Sequence, residues 1–418
     1  MVRSVCISII ARVVDGKPLD DTVDEHFSSM PALERHKPLI YEITSGVIRR
    51  KLYLDWVISH FVKRSIDGEV RLLLWMTLYQ VFFMRKAAYH VVGEAVDYAK
   101  REKGQHVANF VNAVLRRSIR ERTDLPMPVD PLIRLSIEQS FPQWLVRRWL
   151  DRFGQERAGD LLDLLNRTPE FALRIDSRRI SPEAVEAHLA RLGLKTHSGA
   201  FLESAIYVDR IGPLLTDDLL GTHLVHIQDE ASQLAAIALA PLPHERTLDA
   251  CAGRGTKTDQ MAEGNPEVRI VAMDLERRKL LSIRGAQHLV QGDAKKNPFK
   301  NEVFDSILLD APCSSLGIIR KHPEIKWRRR EEDITRYGAA QREMIEALSQ
   351  NLKSGGRLVY SVCSFEPEET VHVVEEVATR GALVPENPLP GLLDAPYFLS
   401  LPHVTGMDGF FIACLRKP

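Results

Sequence analysis

The chain has 418 residues, 44% of them hydrophobic and 27% charged. This excludes a disordered or collagen-like polypeptide and leaves length for two or three domains. Its 56 Lys and Arg against 56 Asp and Glu leave no formal net charge, which argues against a protein that coats nucleic acid through bulk charge. That neutrality is a cancellation, because residues 1–150 carry 23 basic and 17 acidic side chains whereas residues 201–418 carry 25 and 31.

Residues 1–125 read as all-helical. Apolar residues recur at helical spacing over Leu72–Phe83, Tyr89–Lys100 and His106–Arg120, the last with a stripe of Val107, Phe110, Val111, Val114 and Leu115. Arg116, Arg117, Arg120 and Arg122 gather at its end. Cations are favoured there by the helix dipole, so the cluster reads either as a solvated face or, for Arg116 and Arg117, as an RNA contact. The charge-free run Leu72–Met84 is too short to cross a bilayer, and Arg12 interrupts the opening apolar stretch. The five cysteines are scattered, with no C-x-x-C pair and no zinc-like cluster. A cytoplasmic, membrane-free, metal-free monomer is expected.

Three prolines between Leu125 and Pro131 mark a boundary. Residues 126–225 are expected to hold a linker and a small α+β module, with a helix over Pro142–Asn166, a strand over Phe171–Asp176 and a helix over Ser181–Leu192. From residue 226 to 418, strands and helices alternate. Candidate strands are Arg246–Cys251, Arg269–Asp274, His288–Asp293, Phe304–Ala311 and Gly356–Cys363, with a closing pair around His403 and Gly409–Leu415. This pattern predicts a doubly wound, Rossmann-like α/β sheet that binds ligands beyond the carboxyl ends of its strands.

Acids and thiols gather at those ends. The first strand leads through Asp249 into the turn Cys251-Ala252-Gly253-Arg254-Gly255-Thr256-Lys257-Thr258; the next three end at Asp274, Asp293 and Asp310, and the fifth at Cys363. The turn is neither a P-loop nor a G-x-G-x-x-G fingerprint. Its glycines permit close approach of a ligand to the backbone. Asp274 is placed to accept from ribose hydroxyls and Asp293 to hold an adenine edge. A ribose and an adenine without a phosphate cradle point to S-adenosylmethionine. Asp310 runs into Pro312-Cys313, and Ser361-Val362-Cys363-Ser364 places a second thiol on the same rim. Carbon 5 of cytosine is a poor nucleophile, and a thiolate adding to carbon 6 activates it, which gives two rim thiols and an adjacent carboxylate a chemical purpose. Cys6 and Cys414 read as small core hydrophobes.

At these residues the chain resembles the NOL1/NOP2/Sun family of RNA cytosine-5 methyltransferases, in its bacterial 16S rRNA branch. The amino-terminal part is similar to NusB, notably at Glu94-Ala-Val-Asp97 and Phe110–Arg117. Gln228–Leu234, Arg320–Arg329 and Asp408-Gly-Phe-Phe411 resemble further family segments. The family's loop D-x-C-A-A-P-G-G-K-T matches Asp249–Thr258, with Gly253, Arg254 and Thr256 replacing alanine, proline and the second glycine. The resemblance implies Cys363 as nucleophile, preceded by Val362 where the family has threonine, and Cys313 as the thiol that helps release product. It implies cofactor contacts by Cys251, Ala252, Gly253, Arg254, Gly255, Thr256, Lys257, Asp274, Asp293 and Asp310, the last also contacting the base. The strip after Cys313, with Arg320, Lys321, Lys326, Arg328 and Arg329 around Trp327, is expected to hold 16S rRNA or a partly assembled small subunit. A DNA cytosine-5 methyltransferase, with Cys313 as nucleophile, and a catalytically silent RNA-binding assembly or antitermination factor remain alternatives.

Overall fold

The apolar stripes of the first third fold as α1 (Val2–Val14), α2 (Leu19–Ser29), α3 (Lys37–Phe61), α4 (Gly68–Phe82), α5 (Ala88–Lys103) and α6 (Gln105–Glu121), in a computed structural model that describes residues 2–418. Asp67 starts α4 by accepting from the N–H groups of Glu69 and Val70 at 3.0 and 3.1 Å, satisfying two donors that a helix start leaves free. One apolar core joins these helices, from Ile9 and Leu19 to Leu74 and Val111.

The first compact unit runs past the proline-rich stretch to Asn166, and so past the boundary expected at 125. It takes in α7 (Pro131–Gln139) and α8 (Gln143–Leu165). Ser140, in a left-handed conformation between them, accepts from the Leu52 N–H of α3 at 2.9 Å. The same unit includes residues 321–329, a short piece from much later in the chain.

The second unit comprises residues 167–320 and 330–418. It opens with a four-stranded antiparallel sheet of β1 (Phe171–Ile175), β2 (Thr196–Ser198), β3 (Ala205–Val208) and β4 (Val225–Ile227), in the order β2-β3-β1-β4. Glu230, wholly buried at the start of the helix Glu230–Leu239, ties this sheet's loops to the next. Its carboxylate accepts from the N–H groups of Ala200, Phe201 and Leu202 at 2.6–3.0 Å.

The larger sheet contains β5 (Arg246–Asp249), β6 (Arg269–Asp274), β7 (His288–Gln291), β8 (Phe304–Asp310), β9 (Leu352–Val362), β10 (Val384–Glu386), β11 (Phe398–Ser400) and β12 (Phe410–Arg416). The order is β10-β12-β9-β8-β5-β6-β7, with β11 also on β12. Strands β5 to β9 pair in parallel, and β12 runs antiparallel to β9. The chain reverses direction across the sheet at β5, between β6 and β8, which opens a crevice at their carboxyl ends. The closing strand expected at His403 lies instead at β11, because Pro402 begins the helical turn Pro402–Thr405. No described helix is long and apolar enough to cross a membrane, and no described His, Cys, Asp or Glu cluster is suited to a metal ion.

Candidate active site

The rim residues converge as their strand-end positions require. Asp310 pairs in register with Ser361 across β8 and β9, so the chain segments leaving these two strands start side by side. Cys313 and Cys363 then bring their Sγ atoms to 3.2 Å. The two thiols differ. Cys313 is buried and Cys363 is half-buried. The hydrogen bond to Cys363, together with burial, pushes the Cys313 thiol well above the usual range.

A glycine crossing holds this pair. The Gly317 N–H donates to the Cys363 carbonyl at 3.1 Å, and Gly409 N–H donates to the Gly317 carbonyl at 2.9 Å. A Cβ on Gly317 would lie 1.9 Å from the Gly409 oxygen, so only glycine permits the three segments to meet.

Asp310 accepts from Lys257 Nζ at 2.5 Å and from Ser361 Oγ at 2.9 Å. Lys257 projects from the first turn of the helix Thr256–Gly264, which fixes the glycine turn against the β8 end. Within that turn, Ala252 N–H reaches the Met273 carbonyl and Gly255 N–H the Ala252 carbonyl, both at 2.9 Å. Gly255 has φ +88°, and a Cβ on Gly253 would meet nothing within 4 Å. Arg254 and Thr256 face outward, so the departures from the family pattern leave the turn open. Asp274 accepts from the N–H groups of Gly253 (2.9 Å) and Glu276 (2.8 Å), holding the loop at its middle. Asp293 accepts from Lys295 N–H at 2.9 Å, which leaves it at the β7 end capping a short turn.

Asp249 lies behind the turn and is 1% exposed. Burial raises its pKa to about 7 despite the hydrogen bond from Thr258, and its Oδ1 is buried without a partner. Burial, reinforced by nearby Asp249, likewise pushes the half-buried Cys251 thiol up, so Cys251 lines the turn as a neutral group. Cys6 and Cys414 are core thiols, raised by burial to about 12 and about 11.

Three members of the expected RNA strip turn inward instead: Lys326, Trp327 and Arg320. Lys326 is wholly buried in the helical unit. Its Nζ donates to the Arg49 carbonyl at 2.9 Å and stands 3.7 Å from the centroid of the Phe141 ring. Trp327 Nε1 donates to the Ile48 carbonyl at 2.8 Å. Arg320 is 9% exposed, with Nη1 at 3.5 Å from the Gly406 carbonyl. The apolar residues flanking these cations carry them inward, which charge counting does not register. Lys321 and Arg329 are half-buried, and Arg328 is exposed. Arg116 and Arg117 are exposed on α6, with Arg116 on Asn112 at 2.8 Å and Arg117 on Glu121 at 3.2 Å.

The motif reading missed Glu369, Ser314 and Ser364, whose side chains interlock behind the thiols. The repeated doublet Cys313-Ser314 and Cys363-Ser364, followed by Glu368-Glu369, was the available signal.

Residues 236–416 match the model of the family 16S rRNA methyltransferase RsmB/F, residues 2–120 match the NusB family, and residues 141–214 match an RsmF/B-like ferredoxin-like domain. The probable ribosomal RNA small subunit methyltransferase B of Bacillus subtilis is 33% identical, with 92% of this chain and 91% of the relative covered. The chain belongs to the ribosomal RNA small subunit methyltransferase B family. Its counterpart in Vibrio cholerae is also 33% identical, over 100% of this chain and 97% of the relative. The solved structure of PH0851 superposes with a TM-score of 0.82 at 25% identity, covering 99% of each chain. A methyltransferase homologue from Pyrococcus horikoshii gives 0.59 at 25% identity over 70% of this chain and 100% of the other. The helical NusB-like part, the small module and the Rossmann-like sheet are thus the parts of a class I methyltransferase of this family, for which S-adenosylmethionine is the methyl donor. The open glycine turn, with the orphaned Asp249 oxygen behind it, fits that cofactor.

Proposed function

We propose that the chain methylates carbon 5 of a cytosine in small-subunit rRNA through a covalent adduct on Cys363. The 3.2 Å approach of two unlike thiols carries the reading. Cys363 is the more open, whereas Cys313 is buried. This division favours Cys363 as nucleophile and disfavours the arrangement of DNA cytosine-5 methyltransferases, in which the residue matching Cys313 attacks.

In this scheme the Cys363 sulfur bonds to carbon 6 of the base and its proton passes to solvent. Asp310, fixed by Lys257 and Ser361, faces the N3/N4 edge and favours the addition. When bound, S-adenosylmethionine would supply an electrophilic methyl group; Gly253 and Gly255 would line its approach, Asp274 and Asp293 would hold its ribose and adenine, and Cys251, Ala252, Arg254 and Thr256 would complete the loop. The carbon-5 proton then leaves, its electron pair restores the ring double bond, and the carbon–sulfur pair departs with Cys363. Cys313 supports that departure by hydrogen bonding to the leaving sulfur. Cys363 takes back a proton from solvent, so one proton is released overall.

The target base leaves any stack to reach this cleft. Arg116, Arg117, Lys321, Arg328 and Arg329 hold RNA phosphates, whether the substrate is free rRNA or a partly assembled particle. The test is adduct trapping with bisulfite mapping of rRNA. Cys363→Ala abolishes adduct and methylation, whereas Cys313→Ala accumulates adduct. An adduct on the Cys363→Ala protein but not on Cys313→Ala, or a 5-methylcytosine map unchanged by deletion, overturns the proposal.

A further inference from the structure

A single carboxylate joins the two cysteine loops from behind. Glu369 follows Cys363 at the end of the turn Pro367–Glu369 and is wholly buried. Its Oε1 accepts from Ser314 N–H at 2.7 Å and from Gln341 Nε2 at 3.3 Å. Its Oε2 accepts from Ser314 Oγ at 2.5 Å and from Ser364 Oγ at 2.7 Å. Ser314 directly follows Cys313, and Ser364 directly follows Cys363. Gln341 also donates to the Pro312 carbonyl at 3.0 Å. Tyr360 Oη, 2.6 Å from the Glu369 carbonyl and 2.9 Å from Gln341 Oε1, braces the set from β9.

We infer that Glu369 is a positioning residue that fixes the separation of Cys313 and Cys363 through Ser314 and Ser364. A buried carboxylate facing neutral donors is a costly way to fill space, and an apolar side chain of similar volume would pack at less cost. What the carboxylate provides is several acceptor sites on one rigid group. Those sites are used on residues adjacent to both reacting thiols, so a shift in either loop breaks a hydrogen bond that constrains the other. Burial also pushes the Glu369 carboxyl up, and the donors of Ser314 and Ser364 oppose that rise.

The inference rests on the proposed role of Cys363, and the experiment separates the two. Methyl transfer to rRNA is measured for Glu369→Ala, Glu369→Gln and the double variant Ser314→Ala/Ser364→Ala, with S-adenosylmethionine affinity by calorimetry. Displacing a reacting group by about 1 Å costs on the order of 100-fold in rate. Glu369→Ala is expected to lower kcat by about that factor, with KM for RNA and cofactor affinity unchanged within about two-fold. Glu369→Gln keeps an oxygen for Ser314 N–H, and the serine hydroxyls can turn to accept from its amide, so it is expected to recover most of the rate. The double serine variant, which leaves Glu369 in place, is expected to lose at least about ten-fold. Full activity in that variant or in Glu369→Ala overturns the inference, as does Glu369→Gln behaving no better than Glu369→Ala, or a loss seen in KM and affinity rather than kcat. If Glu369→Ala does not fold, the other two variants decide. Activity retained by Cys363→Ala beside a loss in the clamp variants removes the nucleophile assignment alone; the reverse pattern removes the clamp alone.

Discussion

Nζ of Lys326 lies 2.9 Å from the carbonyl oxygen of Arg49, a contact between residues 277 positions apart. Its other neighbours are the Asn166 amide oxygen at 3.5 Å and the Phe141 ring. Burial, aided by the charges of Arg50, Arg49 and Lys51, pushes its pKa well below that of a free lysine. The unfolded chain therefore binds the proton more tightly, and stability is lost as pH falls through the depressed folded value and regained toward about 10.4. Lys326→Met, which keeps the volume and removes the charge, is expected to flatten this dependence. Urea unfolding at pH 7 and pH 10 measures it, and parallel pH slopes for the two proteins contradict it. Lys326→Ala is expected to cost about 2–4 kcal/mol through the cavity it leaves.

The same burial separates Lys326 from RNA binding. Arg116→Ala and Arg117→Ala are each expected to reduce the salt slope of rRNA binding by roughly 0.7–0.9, the effect of losing one phosphate contact. Lys326→Met should leave that slope unchanged. Filter binding across a salt series distinguishes them, and equal slopes for all three variants would remove the α6 arginines from the RNA surface.

Asp249 carries the opposite sign of pH linkage from Lys326. Its folded value of about 7 lies above the usual carboxylate value of 3.8. The stability it contributes is present below about pH 4 and lost as pH rises through 7. Asp249→Asn keeps an acceptor for Thr258 and removes the buried charge. Its melting temperature should exceed that of the parent by a few degrees, roughly 2–4 °C per kcal/mol, at pH 8 and match it at pH 4. A parent protein more stable than the variant at pH 8 contradicts this reading.

Gly317→Ala drives a methyl group into the Gly409 carbonyl oxygen. Overpacking against backbone is expected to cost about 1–3 kcal/mol or more and to displace the Cys363 carbonyl that Gly317 binds. Gly264→Ala, where a Cβ meets nothing within 4 Å, should stay within about 0.5 kcal/mol. Denaturant midpoints and methylation rates for the pair test the contrast.

Strand β8 was legible because a buried parallel strand writes a continuous apolar run, Ile307–Leu309, and the rim because polar residues appear where the strands end. That is why Asp274, Asp310, Cys313 and Cys363 were found together. The three-residue strands β10 and β11 carry no comparable periodicity, and Pro402 obscured the second. The reach of the first unit to Asn166 depends on Ser140 binding α3, a long-range contact with no local sequence signal. The strip around Lys326 misled for the same reason. Its cations mark solvent only if the backbone stays outside, and Ile325 and Trp327 draw it in.

Because residues 321–329 complete the helical unit, the contacts they make there cannot form when its first 166 residues leave the ribosome. At roughly 5–20 residues per second, the missing turn arrives on the order of ten to thirty seconds later. During that interval Ile48 and Arg49 lack the indole and the lysine amino group that their carbonyls bind in the finished protein. The amino-terminal part is thus first in synthesis but not first to be completed, and expressed alone it would lack the contacts that residues 321–329 supply.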